Sequence, residues 1–122
     1  MSQTPSFKVL NYGGILHVFD PVYRMNIWAV VGVSHKTFCR LMKKELGATF
    51  APTKSDGKFY TYVSKGRTVG VIWSSDKSVH LMHECAHATF WAMRERGIGF
   101  SEDAEDAFCY YQSFLFRALT GW

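Results

Sequence analysis

His83, Glu84 and His87 stand in the run His83-Glu84-Cys85-Ala86-His87, an H-E-x-x-H pattern inside a long stretch of helical periodicity. On an α-helix, residues i and i+4 share a face about 6 Å apart along the axis, so two imidazoles can converge on one ion. Neutral imidazole is a good ligand for Zn²⁺, and a tetrahedral catalytic site needs one further protein ligand and an open position. Glu84 is turned about 100° from His83, which sets it beside such an ion, where it can take a proton from water. A chain of this length and His and Glu content shows the pattern by chance roughly once in a hundred. The competing reading is a pair of histidines and a glutamate on a solvated helix face.

A third ligand must come from elsewhere. His80 shares the face but lies about 10 Å along the axis from His87, too far for all three to hold one ion. It reads either as a group that supports the ligands or faces substrate, or as an ordinary exposed histidine. The acidic cluster Glu102, Asp103, Glu105 and Asp106 follows a turn over 97–100, so its helix can double back and offer a carboxylate. Glu102 and Asp103 suit the positive end of that helix. Glu105 and Asp106 begin its apolar body. Glu105 is the expected ligand, with Asp106 and Glu102 as alternatives.

The HECAH run, a short turn and the acidic-aromatic segment SEDAEDAFCYY together resemble the gluzincin arrangement among zincin metallopeptidases. They are also similar to small HExxH proteins encoded by bacteriophages. The resemblance spans about residues 68 to 119. It implies that His83, His87 and Glu105 bind Zn²⁺ and that Glu84 is the general base of peptide-bond hydrolysis. The interval of 18 residues from His87 to Glu105 is at the short end for that group. The resemblance further implies a peptide or protein substrate, a host protein among the candidates, and a hydrogen-bond donor for the oxyanion. Tyr110, Tyr111 and His80 are candidates, and nothing in the sequence selects among them. In zincins the strand before the active-site helix is a sheet edge to which substrate pairs. Thr68–Trp73 occupies that place, and Gly70 would allow close backbone approach. The alternative is an inner strand with Val69, Val71 and Trp73 on one face.

The elements that must position these groups are legible in outline. Ile15–Phe19, after Gly13-Gly14, and the apolar run 26–33 read as strands. Ser34 is a plausible N-cap for a helix over 35–46 that ends at Gly47. After a polar loop over 48–57, Phe59–Val63 and Thr68–Trp73 form a hairpin through Ser64-Lys65-Gly66-Arg67. A helix over 77–96 stops at Gly97, and Ser101 caps a last helix whose body is apolar nearly all round and so expected to be buried. The fold class is α+β: a small, mainly antiparallel sheet packed on the H-E-x-x-H helix and a C-terminal helix, in the manner of a minimal zincin.

Composition narrows the class. The 122 residues suit a single domain over 1–122, and a 16% aromatic fraction excludes intrinsic disorder. No apolar run is long enough to span a bilayer, and Met1–Pro5 lacks the pattern of a signal peptide, so no membrane role and a cytoplasmic location (host cytoplasm if phage-encoded) are expected. Cys39, Cys85 and Cys109 are odd in number and make no C-x-x-C pair, which excludes a disulfide framework. Charge is uneven. Residues 1–80 carry eleven Lys and Arg against four Asp and Glu, and residues 81–122 three against six. The basic surplus, with Lys36, Arg40, Lys43 and Lys44 on one helix and Lys54, Lys58, Lys65, Arg67 and Lys77 around the hairpin, supports a rival reading. In that reading a weak or inactive zincin fold binds a host protein or nucleic acid. No nucleic-acid-binding motif accompanies the charge, and a solvated face is the commoner explanation, so nucleic acid is the less favoured partner.

Overall fold

The computed structural model describes residues 7–99 and 101–121. The expectation for Met1–Pro5 and the last residue of the 97–100 turn lie outside them. Five strands and three helices follow in the order β1 (Lys8–Tyr12), β2 (Ile15–Phe19), β3 (Asn26–Val31), α1 (His35–Leu46), β4 (Gly57–Ser64), β5 (Arg67–Ser74), α2 (Val79–Glu95) and α3 (Glu102–Thr120). The class is α+β, with one mixed, mostly antiparallel sheet in the order β1-β2-β3-β5-β4. Only β3 and β5 run parallel, joined through α1 and β4. Among the described residues, no helix is long and apolar enough to cross a membrane.

Local chemistry explains the elements. Ser34 caps α1 by accepting from the Thr37 N–H, and Gly47 ends it in the left-handed region at φ 65°. The two-residue turns Gly13-Gly14 and Lys65-Gly66 have positive φ at both positions, the mirror-image turn whose twist suits a hairpin. The first of these closes β1 onto β2, a strand that the sequence reading missed. All five of its residues are exposed, so it carries no burial pattern to reveal it.

The sheet separates two cores. On one side, Phe38 and Met42 of α1 pack on Ile15, Val30, Val71 and Trp73. On the other, Leu81, Cys85, Ala88, Trp91 and Ala92 of α2, with Tyr111, Leu115 and Leu119 of α3, pack on Val18, Ile27, Ala29 and Ile72. Strands β3 and β5 therefore bury both faces, which accounts for their nearly continuous apolar character.

Of the two readings of Thr68–Trp73, the inner strand holds: β3 pairs on one side of β5 and β4 on the other, so the free edge beside α2 among the described residues is β4. The close approach at Gly70 comes from within the fold: a Cβ there would stand 2.9 Å from a Phe59 ring carbon and 3.0 Å from a Trp91 ring carbon. Helix α3 is also less buried than its composition suggests. It packs beside α2 and buries one stripe, Ala104, Tyr111, Leu115 and Leu119, leaving Cys109 and Tyr110 exposed.

Candidate metal centre

Helix α2 is built as two unlike stripes. Leu81, Cys85, Ala88 and Trp91 are sunk in the core and fix its rotation about its own axis. That rotation leaves His83 and His87 exposed on the outer side and carries Glu84 inward, where it is only 5% exposed. Imidazoles and carboxylate gather there. The Nε2 atoms of His83 and His87 are 3.2 Å apart. A donor atom from each of His83, Glu84 and His87 lies within 4.8 Å of the other two, the one such grouping among the described residues.

The donor set fits zinc. Two nitrogens 3.2 Å apart, each about 2.05 Å from one ion, subtend roughly 103° there, close to the tetrahedral angle. Without an ion the same spacing suits an Nε2–H···Nε2 hydrogen bond between one protonated and one bare nitrogen.

The three side chains open into a cleft of about 530 Å³ between α2 and the start of β4, where Asp56, Gly57 and Lys58 form the opposite wall. Gly57 leaves room for the carboxyl: a Cβ there would meet Glu84 Oε2 at 3.0 Å and the Trp73 carbonyl at 3.3 Å, so a larger residue would make Glu84 shift. Burial holds the Glu84 carboxyl above its ordinary value, opposed by the charges of His83, His87, Lys58 and His80. A carboxylate raised in this way is a better proton acceptor than a solvated one. A second, mainly apolar cavity of about 580 Å³ adjoins His83 between α2 and α3, walled by Val79, Met82, Ala86 and Phe116.

The other expected residues divide. His80 faces the cleft, its Nε2 3.7 Å from Asp56 Oδ2 and 3.7 Å from Asp76 Oδ2. Tyr111 is elsewhere: it is buried in the core and its hydroxyl donates to Asp20 Oδ2 at 2.6 Å, so it cannot serve an oxyanion in the cleft. Burial and the Asp20 charge push its phenol far up. Tyr110 is 63% exposed and stacks on Phe114, away from the cleft walls.

Glu102, Glu105 and Asp106 are exposed in the opening turns of α3 and do not join the His83–Glu84–His87 grouping. Register explains why. Phe108 meets Phe90 with ring centroids 4.6 Å apart, and Gln112 Nε2 donates to the Met82 carbonyl at 3.2 Å, so α3 runs antiparallel to α2. Glu105 lies about 4.5 Å before Phe108, and Phe90 lies about 4.5 Å beyond His87, so the two displacements add.

Sequence reasoning missed Asp56 and Gly57 as site residues. Their one signal was an Asp-Gly pair at a loop end, which reads as a turn and nothing more. Burial raises the Cys85 thiol, leaving it a packing residue rather than a nucleophile. No protein-family model, curated protein or solved structure matches this chain.

Proposed function

We propose that the protein is a zinc-dependent metallopeptidase of the zincin type, a hydrolase of peptide bonds in which Glu84 is the general base. One observation carries the reading: two imidazole nitrogens 3.2 Å apart at a zinc-compatible bite, with a buried carboxyl within 4.8 Å, in an open cleft. His83 and His87 would hold the ion, which supplies Lewis acidity to polarise a carbonyl and to acidify water. Glu84, kept basic by burial and placed by Gly57, takes the proton from water and returns it to the leaving amine nitrogen. The free edge of β4 borders the cleft and suits an extended peptide that pairs as a sixth strand. The apolar cavity beside His83 suits a large apolar side chain next to the scissile bond. Substrates are peptides or proteins, with a host protein as a candidate if the chain is phage-encoded, and the setting is cytoplasmic.

Protein purified without a chelating tag is expected to hold about one zinc per chain, read by elemental analysis. Glu84→Gln should keep the zinc and lose cleavage of a peptide library. Wild-type protein that takes up no zinc overturns the reading, and cleavage that survives in Glu84→Gln removes Glu84 as the base.

A further inference from the structure

We propose that Asp56, and not an acid of α3, is the third protein donor of the metal centre. The proposal rests on the reading above, that His83 and His87 hold a divalent ion. Two imidazoles leave a tetrahedral ion two positions, and with one kept open for chemistry the other calls for a further side chain. Among the described residues, the carboxylates lining the cleft are those of Glu84 and Asp56. Glu84 is pressed between α2 and Gly57, with little room to turn. The acids at the start of α3 do not line the cleft, and the antiparallel register carries them away from His87.

Asp56 has a fixed backbone and a free side chain, as a ligand on a loop needs. Its carbonyl accepts from the Ser75 N–H at 2.8 Å, and the next residue, Gly57, pairs with Ser74 at the start of β4. Its side chain is 68% exposed and stands on the same side of α2 as the two ligands, with Oδ2 3.7 Å from His80 Nε2. Asp56 stands outside the 4.8 Å grouping, but it lines the same cleft as His83, one helical turn from His80, so in this proposal its exposed carboxylate turns along that wall to meet the ion. Asp76 Oδ2, also 3.7 Å from His80 Nε2, helps to hold the imidazole that Asp56 faces. His80 is thus a positioning residue, a partner for the carboxylate rather than a ligand.

Zinc affinity decides the matter, measured by competition with a chromophoric chelator, alongside the visible absorption of the Co²⁺-substituted protein. Wild type, Asp56→Ala, Asp56→Asn, Glu84→Gln and the triple variant Glu102→Ala/Glu105→Ala/Asp106→Ala form the set. Both Asp56 variants are expected to bind Zn²⁺ at least ~100-fold more weakly, beyond the usual effect of losing an outer partner, and to change the Co²⁺ spectrum. Circular dichroism of the metal-free variants should be unchanged, since Asp56 is exposed. The triple variant and Glu84→Gln should keep affinity within about twofold, a range well under 1 kcal/mol. Wild-type affinity in the Asp56 variants overturns the proposal while leaving the metallopeptidase reading in place, and so does a large loss in the triple variant or in Glu84→Gln alone. A wild-type protein that binds no metal overturns both.

Discussion

Each face of the sheet carries a helix with a histidine and a second metal-capable residue at i+4, yet the two pairs have different fates. On α1, His35 Nε2 is 2.8 Å from the Tyr60 hydroxyl, which donates onward to the Ala51 carbonyl, and Cys39 Sγ lies 3.6 Å from His35 Nδ1. Phe38, Tyr60 and Trp73 surround the imidazole. Burial lowers the His35 pKa and raises the Cys39 thiol, so both are held neutral. On α2, His83 and His87 turn their nitrogens toward each other at an open cleft. Spacing supplies proximity on both helices. Which side of the helix the core takes decides whether the donor atoms are used up by neighbours or left for a ligand.

The sharpest way to break this comparison is to remove one imidazole from each helix. His87→Ala should abolish stoichiometric zinc while shifting metal-free stability by no more than about 0.5 kcal/mol, as for most exposed positions. His35→Ala should keep the zinc and lower stability; elemental analysis with urea unfolding reads both. If His35→Ala lost zinc, the two faces would not be separate.

Phe38→Ala should cost about 3–5 kcal/mol by opening a cavity in the α1 core. The zinc affinity of the remaining folded protein should stay as in wild type. A parallel fall in affinity would show that the α1 core shapes the cleft.

Gly57→Ala tests the cleft wall rather than the metal. Its Cβ would stand 3.0 Å from Glu84 Oε2, so the carboxylate must shift. Hydrolysis is expected to fall about 100-fold, with zinc retained. Undiminished turnover would mean that Gly57 does not set the position of Glu84.

The smallest effect concerns pH. Asp76 accepts from the Ser78 N–H at the start of α2, which with nearby His80 lowers its pKa from the ordinary value of 3.8. A lowered acid contributes stability that is present above that ordinary value and is lost as pH falls through its folded value. Asp76→Asn should therefore flatten this part of the acid limb of the melting temperature against pH. An unchanged acid limb would remove Asp76 as a contributor.

Much of the local structure was legible because its causes are local. Ser34 and Gly47 bound α1, the turn at Lys65-Gly66 closes the β4–β5 hairpin, and the H-E-x-x-H spacing gathers His83, Glu84 and His87. What failed to be legible depends on how distant segments meet. Nothing within Thr68–Trp73 says that β3 will pair beside it and make it an inner strand. Nothing within α3 fixes the sliding register that sets Phe108 against Phe90 and takes Glu105 past His87. Tyr111 was read as a catalytic candidate because its partner, Asp20, lies 91 residues away in the sequence and meets it only in the fold.

That partnership has a consequence for the order of folding. Asp20 collects the N–H groups of Tyr23, Arg24 and Met25 within five residues, so its turn can close as soon as it is made. Its remaining donor, Tyr111, is 91 residues downstream. At typical synthesis rates that interval lasts roughly 5–18 s. Through it, Val18, Ile27 and Ala29 wait without α3, the layer that completes their side of the sheet. The apolar face on that side of the sheet is therefore completed only when the C-terminal helix has been made.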